Sequence, residues 1–328
     1  MRILNTAAAG VRAQQTALDV LGNNVANVNT PGYKAQRVTF AEALASELRP
    51  AELEFNNQPI GEPINVGVGA IVSGISTDFR TGTIINTENP LDLAITGEGF
   101  FPVRTPNGDS AYTRVGSFQK DTQGKLVTPE GYILELRLPT EAMDIYADPE
   151  GWVRGYLNGE EQIFGRIVGA AEDEGFMGGP LTVDEQGRPL DANGNPLSLA
   201  FVIPEGAEDV NISSTGVISA TIEGEPQVLG QINLVTFANP QGLLKGGNNL
   251  YFVPQAPGVT GEEWIGTPGS QVGNTTLGNL QTQALEQSNV DMASAMTELI
   301  QVQRAYQMNA RMITNGDQMW GMANSLRR

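Results

Sequence analysis

The stretch "NNVANVNTPGYKAQR", residues 23–37, decides how the fold is interpreted. Four asparagines, Asn23, Asn24, Asn27 and Asn29, stand within seven residues and precede a proline–glycine pair. Asparagine tolerates left-handed backbone and bonds to nearby backbone groups, so the cluster predicts a helix C-terminus with a sharp exit at "TPGY". This explanation accounts for residues 29–32. It does not account for Asn23, Asn24 and Asn27, whose side-chain amides would lie on more than one face of a helix.

The segment before the asparagines has a heptad pattern. Seven of its eight seam positions are apolar, which predicts a coiled-coil-like N-terminal helix. These positions are Leu4, Ala7, Val11, Gln14, Leu18, Leu21, Val25 and Val28.

A second heptad pattern of similar length occupies the C-terminus. The sequence "SNVD" predicts its start, with Ser288 as the cap and Asp291 closing a capping box. Each helix could pack on its own domain, but two narrow, charge-poor seams at the chain ends favour pairing with each other and then with other copies. The positions of this second seam are Met292, Ala295, Leu299, Val302, Tyr306, Ile313, Trp320 and Ala323.

The composition predicts a β-rich middle and excludes much catalytic chemistry. The chain has 328 residues, 39 glycines and 19 prolines but only 6% aromatic residues, which favours many short strands and turns. Cysteine and histidine are both absent, which removes disulfides, thiolate nucleophiles, imidazole bases and the zinc sites built on them. We therefore predict no catalytic residue, no cofactor and no metal site, and expect that the protein is not an enzyme.

The net charge of −18 lies in the middle of the chain. Residues 1–40 carry four basic residues and one acidic residue, and residues 288–328 carry four basic and three acidic, so the middle has a net charge of −22. This acidity argues against a nucleic-acid partner. Neither a Sec-type signal peptide nor an apolar run long enough to span a membrane is expected.

Three longer segments carry a family resemblance. "ALDVLGNNVANVNTPGYKAQRVTF", "NPLDLAITGEGFFPVRTPNGDSAYTRVGSF" and "ELIQVQRAYQMNARMITNGDQMWGMANSLRR" resemble the N-terminal, central and C-terminal motifs of bacterial flagellar rod and hook proteins. "VGVGAIVSGISTDFRTGTIINTENPLDLAI" is most similar to the distal rod members of that family. The resemblance implies a structural axial subunit of the basal body that polymerises through its terminal helices into a hollow tube and transmits torque.

The resemblance also implies partners, a location and an assembly interface. The expected partners are other copies in an open helical homopolymer, other rod and hook proteins and the flagellar type III export apparatus, with contacts to the surrounding basal-body rings left open. The expected location is the flagellar basal body, reached without a cleaved signal peptide. The turn at Thr30, Pro31, Gly32 and Tyr33 is the family motif. The expected interface residues are Leu4, Val11, Leu18, Leu21, Asn23, Asn24, Val25, Asn27, Met292, Leu299, Val302, Tyr306, Ile313 and Trp320.

Two alternatives remain open at this point. Within the family, the chain could be a hook or proximal rod subunit. In a different class, it could be a secreted β-rich carbohydrate-active or carbohydrate-binding module with helical dimerisation ends, and glycan binding by the purified monomer would distinguish this alternative.

The predicted fold class is α+β, with paired coiled-coil-like terminal helices around an extended connector and a central all-β domain. The expected helical assembly domain is residues 1–36 with 286–328, the connector is 37–75 with 244–285, and the β-rich outer domain is 76–243. Within the outer domain, a shift of 65 gives nine identities in 29 positions, including Pro139 with Pro204 and Gly151 with Gly216. Upstream, "DTQGK" matches "DEQGR" with a shift of 63, so residues 121–183 are predicted to duplicate the β unit at 184–232.

Overall fold

The protein has an N-terminal helix, a large β-rich central part and a C-terminal helix in a computed structural model. The chain divides into two compact units. Unit 1 consists of Met1–Val28, Ala35–Asp78 and Val290–Arg328, and unit 2 consists of Asn29–Lys34 and Phe79–Asn289. The structure describes residues 2–326 except for 44–45, 50–51, 56–57, 61–63, 68, 139–142, 150, 158–159, 168–177, 185–186, 191–193, 195–196, 205, 223 and 255–257.

The two helices of unit 1, α1 (Arg2–Ala26) and α2 (Met292–Ser325), pack against each other. Gly10 lies against Asn309, and Gly316 lies against Leu4, so the two helices run antiparallel. A Cβ at Gly10 would stand only 2.7 Å from the Asn309 side-chain nitrogen, so the helices approach closely because this position has no side chain.

The start of α2 differs from the sequence prediction. Asp291 is the N-cap, and its carboxylate accepts hydrogen bonds from the Ala293 backbone N–H at 3.0 Å and the Ser294 hydroxyl at 2.8 Å. The prediction of Ser288 as the cap was wrong, since a charged carboxylate three residues later accepts these first-turn donors.

Between the helices in sequence, in the region expected to be an extended connector, unit 1 contains three nested antiparallel strand pairs. The outermost pair is β1 with β6, the next is β2 with β5, and the innermost is β3 with β4. β-Branched residues such as Val38, Val72 and Ile75 favour this pairing. The strands are β1 (Gln36–Glu42), β2 (Ser46–Arg49), β3 (Glu52–Phe55), β4 (Gln58–Ile60), β5 (Ile64–Val66) and β6 (Ala70–Thr77).

Unit 2 consists of short antiparallel strands and one 3₁₀ turn at Pro240–Gly242. The strands are β7 (Ile84–Asn86), β8 (Leu93–Thr96), β9 (Phe101–Arg104), β10 (Ser110–Thr113), β11 (Gln119–Lys120), β12 (Leu126–Val127), β13 (Ile133–Leu136), β14 (Met143–Ala147), β15 (Trp152–Leu157), β16 (Glu160–Ile167), β17 (Gly179–Pro180), β18 (Thr182–Val183), β19 (Pro189–Leu190), β20 (Leu199–Ala200), β21 (Glu208–Ile212), β22 (Val217–Ile222), β23 (Glu225–Gln231), β24 (Leu234–Phe237), β25 (Leu244–Lys245), β26 (Leu250–Phe252), β27 (Glu263–Gly266), β28 (Gln271–Val272), β29 (Thr275–Thr276), β30 (Asn279–Thr282) and β31 (Ala284–Glu286).

The largest sheet of unit 2 has twelve strands. Its main order is β17-β14-β15-β16-β20-β13-β9-β10-β26-β25, and β12 joins β13 from the side together with β11. The remaining strands form separate ladders, among them β21-β22-β23, β24-β27, β30-β8 and β31-β7. Residues 244–285, expected to belong to the connector, contain six of these strands and lie in unit 2. They do so because buried residues such as Tyr251, Ile265 and Leu280 pack into its cores.

Two three-stranded meanders within unit 2 share one pairing register. In the first, β14-β15-β16, Trp152 pairs with Arg166, and in the second, β21-β22-β23, Val217 pairs with Gln231, which is the same pair shifted by 65. Both also break register at equivalent points, and Gly151 and Gly216 both have a φ of 84°. Pro139 lies outside the described residues. The inner faces of both meanders enter one core, with contributions that include Val153, Phe164, Ile218 and Leu229.

Candidate functional site

Helix α1 places its predicted seam residues other than Ala7 at intermediate burial. Its buried residues, which include Ala7 of the seam, lie along a stripe of small side chains, which explains the close packing of this helix. The half-buried seam residues are Leu4, Val11, Leu18, Leu21 and Val25, and the buried stripe contains Ala7, Ala13, Ala17, Val20 and Asn24.

Helix α2 has apolar residues on two sides. Leu299, Val302, Tyr306 and Ile313 of the predicted seam are partly buried, whereas Trp320, assigned to the same seam, is 53% exposed. At 3.6 residues per turn, a second set of apolar residues lies on the side away from the seam, and heptad counting missed it. This set, called the methionine face, comprises Met296, Ile300, Met308, Met312, Met319 and Met322, all exposed.

The asparagine cluster is used inside the chain. The Asn24 amide is buried, donates to the backbone oxygen of Gln36 at 2.7 Å and accepts from the backbone N–H of Gln36 at 2.9 Å. Asn27 donates to both oxygens of Asn23, at 2.9 and 2.6 Å. The Asn24 amide therefore holds β1 to the end of α1, where the sequence analysis expected a contact between subunits.

The family-motif turn, residues 30–33, is bound into unit 2. The Gly32 N–H donates to the backbone oxygen of Glu286 at 2.8 Å, and the Asn249 amide donates to the backbone oxygen of Pro31 at 3.2 Å. Gly32 has a φ of 67°, and a Cβ there would lie 2.9 Å from the backbone nitrogen of Val115. Glycine is thus required at this position both by the backbone conformation and by the space available.

Directly after the turn, Lys34 forms a buried ion pair with Glu286. Both side chains are fully buried, and Lys34 Nζ lies 2.5 Å from Glu286 Oε1. Lys34 also donates to the backbone oxygen of Arg80 at 2.9 Å, and the same carboxylate oxygen accepts from the Gly82 N–H at 2.7 Å. A buried ion pair is tolerated only when such additional hydrogen bonds satisfy it, as they do here.

A second cation, Arg114, completes the cluster. Its NH1 lies 3.6 Å from Glu286 Oε2, its NH2 donates to the backbone oxygen of Gly97 at 2.8 Å, and its guanidinium lies 5.4 Å from the centroid of the Phe100 ring. Burial lowers the pKa of Arg114, and the nearby Glu286 carboxylate opposes that shift. We call Lys34, Arg114 and Glu286 the ion cluster; it places two buried cations on one carboxylate.

Aromatic rings surround the ion cluster. Tyr251 is fully buried, and burial raises the pKa of its phenol. Phe79 packs edge-on against Phe100 at 5.2 Å and against Tyr251 at 5.1 Å. The ammonium of Lys245 lies 4.2 Å from the ring centroid of Tyr33. This apolar surrounding makes the cluster costly to break, because an unpaired charge could not reach water.

The ion cluster lies within unit 2 and is formed close to the ends of the two segments that make up this unit. The chain crosses after residues 28, 34, 78 and 289, and Lys34 stands at one of these points. Arg80 lies just after the crossing at residue 78, and Asn289 lies at the last crossing. The Asn289 side chain donates to the Arg80 backbone oxygen at 3.0 Å. The arrangement can therefore clamp the entering and leaving segments of unit 2 mechanically.

No local sequence pattern singles out the three members of the ion cluster. Lys34 and Arg114 both lie within the quoted family motifs, and this position was the available signal. Glu286 stands two residues before the predicted helix signal at Ser288 and gave no such indication. Charge partners separated by 252 residues cannot be paired from local pattern.

The described part of the chain contains neither a candidate membrane span nor a candidate metal site. None of the helices that the structure describes is long and apolar enough to cross a membrane. Among the same residues, no group of three or more acidic side chains is placed to hold a metal ion.

Three family models match this chain. Residues 4–34 match the flagella basal body rod protein model, residues 94–155 the flagellar hook protein FlgE/F/G D1 domain, and residues 281–326 the flagellar basal body rod FlgEFG protein C-terminal model. The first match covers most of α1 and includes Lys34. The second includes Arg114, and the third covers α2 and includes Glu286.

Curated relatives align along the whole chain. The flagellar basal-body rod protein FlgG of Caulobacter vibrioides is 31% identical, with 100% of both chains covered. FlgG of Agrobacterium fabrum is 30% identical over 97% of each chain, and the hook protein FlgE of Salmonella typhimurium is 28% identical over 98% of this chain and 99% of its own. The chain therefore belongs to the FlgG family of flagellar basal-body rod proteins.

Proposed function

We propose that this chain is a structural subunit of the distal rod in the bacterial flagellar basal body, where it polymerises and transmits torque. The observation that carries the proposal is the alignment with rod proteins over the entire chain. The family is one of structural rod and hook proteins, so the chain acts by assembly and not by catalysis.

Assembly proceeds through unit 1. Helix α2 packs against α1, whereas its methionine face is exposed in the single chain. Methionine side chains are flexible and polarisable and suit contacts that must accommodate neighbouring helices. The interface includes the predicted seam residues, whose half-buried side chains border the α1–α2 contact, together with the exposed Trp320 and this methionine face. A coiled-coil-like association of the helix pair with further copies is part of the proposal.

The ion cluster gives unit 2 a rigid base. Because Lys34 and Glu286 are sequence-distant and fully buried, force applied to the segment after the family-motif turn is carried directly to β31. Rupture would expose unpaired charges in an apolar surrounding, which makes the connection stiff. A torque-transmitting subunit requires such a connection.

The two meanders derive from a duplication of one β unit. Their strands, bulges and left-handed residues correspond at a shift of 65, including Asp144 and Asp209 with φ of 51° and 50°. Upstream, the pair β11-β12 corresponds to β18-β19 at a shift of 63, since Gln119 pairs with Val127 as Thr182 pairs with Leu190. The duplicated unit, residues 121–183 and 184–232, enlarges unit 2 without altering the helices.

The partners and the route to the rod follow from family membership. The chain contacts other copies of itself and other rod and hook proteins, and it reaches the basal body through the flagellar type III export apparatus. A contact of unit 2 with the surrounding basal-body rings belongs to the same proposal.

A hook subunit is the second candidate, favoured by the alignment with the Salmonella typhimurium hook protein. The experiment that separates the two locates a tagged full-length chain in isolated hook–basal bodies by immunogold labelling. Label on the rod below the hook supports the distal rod, and label along the hook contradicts it. A secreted glycan-binding module would label neither structure and would bind glycans as a monomer.

A further inference from the structure

Methionine is concentrated on helix α2. The chain contains 9 methionines, and six of them lie among the 34 residues of α2. Five belong to the methionine face, where their side chains are 50–64% exposed in the single chain. A reaction that is specific for thioethers can therefore change a whole surface of one helix and leave the other side chains of that helix untouched.

The methionine face lies away from the contact between α2 and α1. Successive residues of a helix turn by about 100°, so the buried and half-buried residues of α2 are centred about half a turn from this face. A chemical change on the methionine face consequently leaves the α1–α2 contact in place. The buried and half-buried residues include Ala295, Leu299, Val302, Tyr306, Asn309 and Ile313.

The sulfur atoms determine which reaction the face can undergo. Hydrogen peroxide oxidises a thioether by transferring one oxygen to sulfur: the O–O bond breaks, an S–O bond forms, and sulfur gives up two electrons. The second oxygen takes the proton of the first and leaves as water. The product, methionine sulfoxide, is polar and disrupts contacts that are rich in methionine.

Two arginines stand beside the methionines of this face. Met308 follows Arg304 by four residues and precedes Arg311 by three, and residues at these spacings are neighbours on the surface of a helix. Both arginines are exposed, and a guanidinium can donate to a sulfoxide oxygen. The helix of the free chain therefore tolerates the sulfoxide, and the cost arises only when the face is buried away from water.

We propose that the methionine face is a site of reversible oxidation by peroxides, and that methionine sulfoxide on this face prevents the chain from joining the rod. The inference rests on the proposed function, in which another copy of the chain covers the face. The thioethers of the free chain are open to the oxidant, whereas burial in the rod removes that access. Oxidation thus excludes subunits that have not yet assembled and spares those that have.

Peroxide treatment of the purified full-length chain tests the proposal. Peptide mass spectrometry measures sulfoxide at each methionine, and sedimentation measures the polymer formed. We expect the treated wild type to form about tenfold less polymer, while its circular dichroism shows unchanged helix content. Methionine sulfoxide reductases with a dithiol, which supplies two electrons and removes the oxygen as water, should restore polymer formation.

Two matched variants assign the effect to the face. In the first, leucine replaces the five methionines, which keeps an apolar surface of similar volume and removes the thioethers. This variant should assemble equally well with and without peroxide. In the second, Met143→Leu removes a methionine of unit 2 that is 71% exposed, and peroxide should still stop its assembly. The five substitutions of the first variant are Met296→Leu, Met308→Leu, Met312→Leu, Met319→Leu and Met322→Leu.

Partial oxidation of the wild type gives a test that needs no variant. After sedimentation, chains with sulfoxide on the methionine face should remain in the supernatant, about tenfold enriched over the pellet. Sulfoxide at Met143 should be distributed equally between the two fractions. An equal distribution of sulfoxide at the face methionines would overturn the proposal, whether or not the leucine variant assembles.

Three further results would contradict the proposal. Loss of assembly by the peroxide-treated leucine variant would show that oxidation acts elsewhere, and failure of the reductases to restore assembly would show irreversible damage. In isolated basal bodies, oxidation of the face at the rate of the free chain would show that no subunit covers it. Absence of the wild-type chain from basal bodies would instead refute the proposed function itself.

Discussion

Removing the carboxylate of the ion cluster should destabilise the protein more than removing the lysine. In Glu286→Gln, Lys34 and Arg114 remain buried and lose the carboxylate that they share, whereas in Lys34→Met the carboxylate keeps the Gly82 N–H at 2.7 Å and Arg114 at 3.6 Å. Breaking a buried pair costs about 3–5 kcal/mol, so we expect about 5 kcal/mol for Glu286→Gln and about 3 kcal/mol for Lys34→Met.

The assay is urea and thermal unfolding of the purified full-length chain. With about 2–4 °C per kcal/mol for domains of this size, Glu286→Gln should lower the Tm of unit 2 by about 10–20 °C and Lys34→Met by about 6–12 °C. The matched control is Arg154→Met, which breaks the partly exposed pair with Asp148 and should cost less than about 1 kcal/mol. The double variant should cost less than the sum of the single ones, because it removes the pair together.

An equal or smaller loss for Glu286→Gln than for Lys34→Met would refute this reasoning. It would mean that the cluster does not hold an excess of positive charge at neutral pH. A loss as small as that of the Arg154→Met control would show that water reaches the buried pair.

Burial raises the pKa of Glu263 above its ordinary value of 4.5, so the contribution of Glu263 to stability is fully present below the unfolded pKa and is lost as pH rises through the folded pKa. Glu263→Gln should remove this loss; if urea unfolding at a series of pH values shows the same slope of stability against pH for the variant as for the wild type, the explanation fails. Leu18→Asp or Leu299→Asp would place a charge at the border of the α1–α2 contact and should stop assembly while the thermal transition of unit 2 persists. Loss of both assembly and this thermal transition would mean that the helices belong to the core of unit 2. Gly32→Ala should destabilise the protein more than Gly131→Ala, because both glycines have positive φ but only Gly32 is crowded by neighbouring atoms. The backbone strain of alanine at positive φ costs about 1–2 kcal/mol at either position, so equal losses of unfolding free energy in chemical denaturation would refute the role of the crowding.

Local patterns in the sequence were sufficient for the helices. The heptads around Leu18 and Leu299 predict α1 and α2, because amphipathic periodicity is a property of neighbouring residues. The abundant glycines and prolines likewise predict the β-rich middle. The resemblance of the motif segments indicated the family, which the comparisons show.

Contacts between distant residues needed the tertiary structure. Asn24 was predicted to lie at a subunit contact, and its amide bonds to the Gln36 backbone within the chain. Residues 244–285 were predicted to form a connector, but short strands without clear periodicity become part of a sheet when a partner strand is supplied from elsewhere.

The sequence by itself determined the two terminal helices, the turn-rich β middle and the absence of cysteine and histidine chemistry, since each depends on local order or composition. The tertiary structure alone decided the ion cluster, because Lys34 and Glu286 become partners only when the chain folds back over 252 residues. It also decided which sides of the helices and meanders stay exposed, because burial depends on what the remainder of the chain covers.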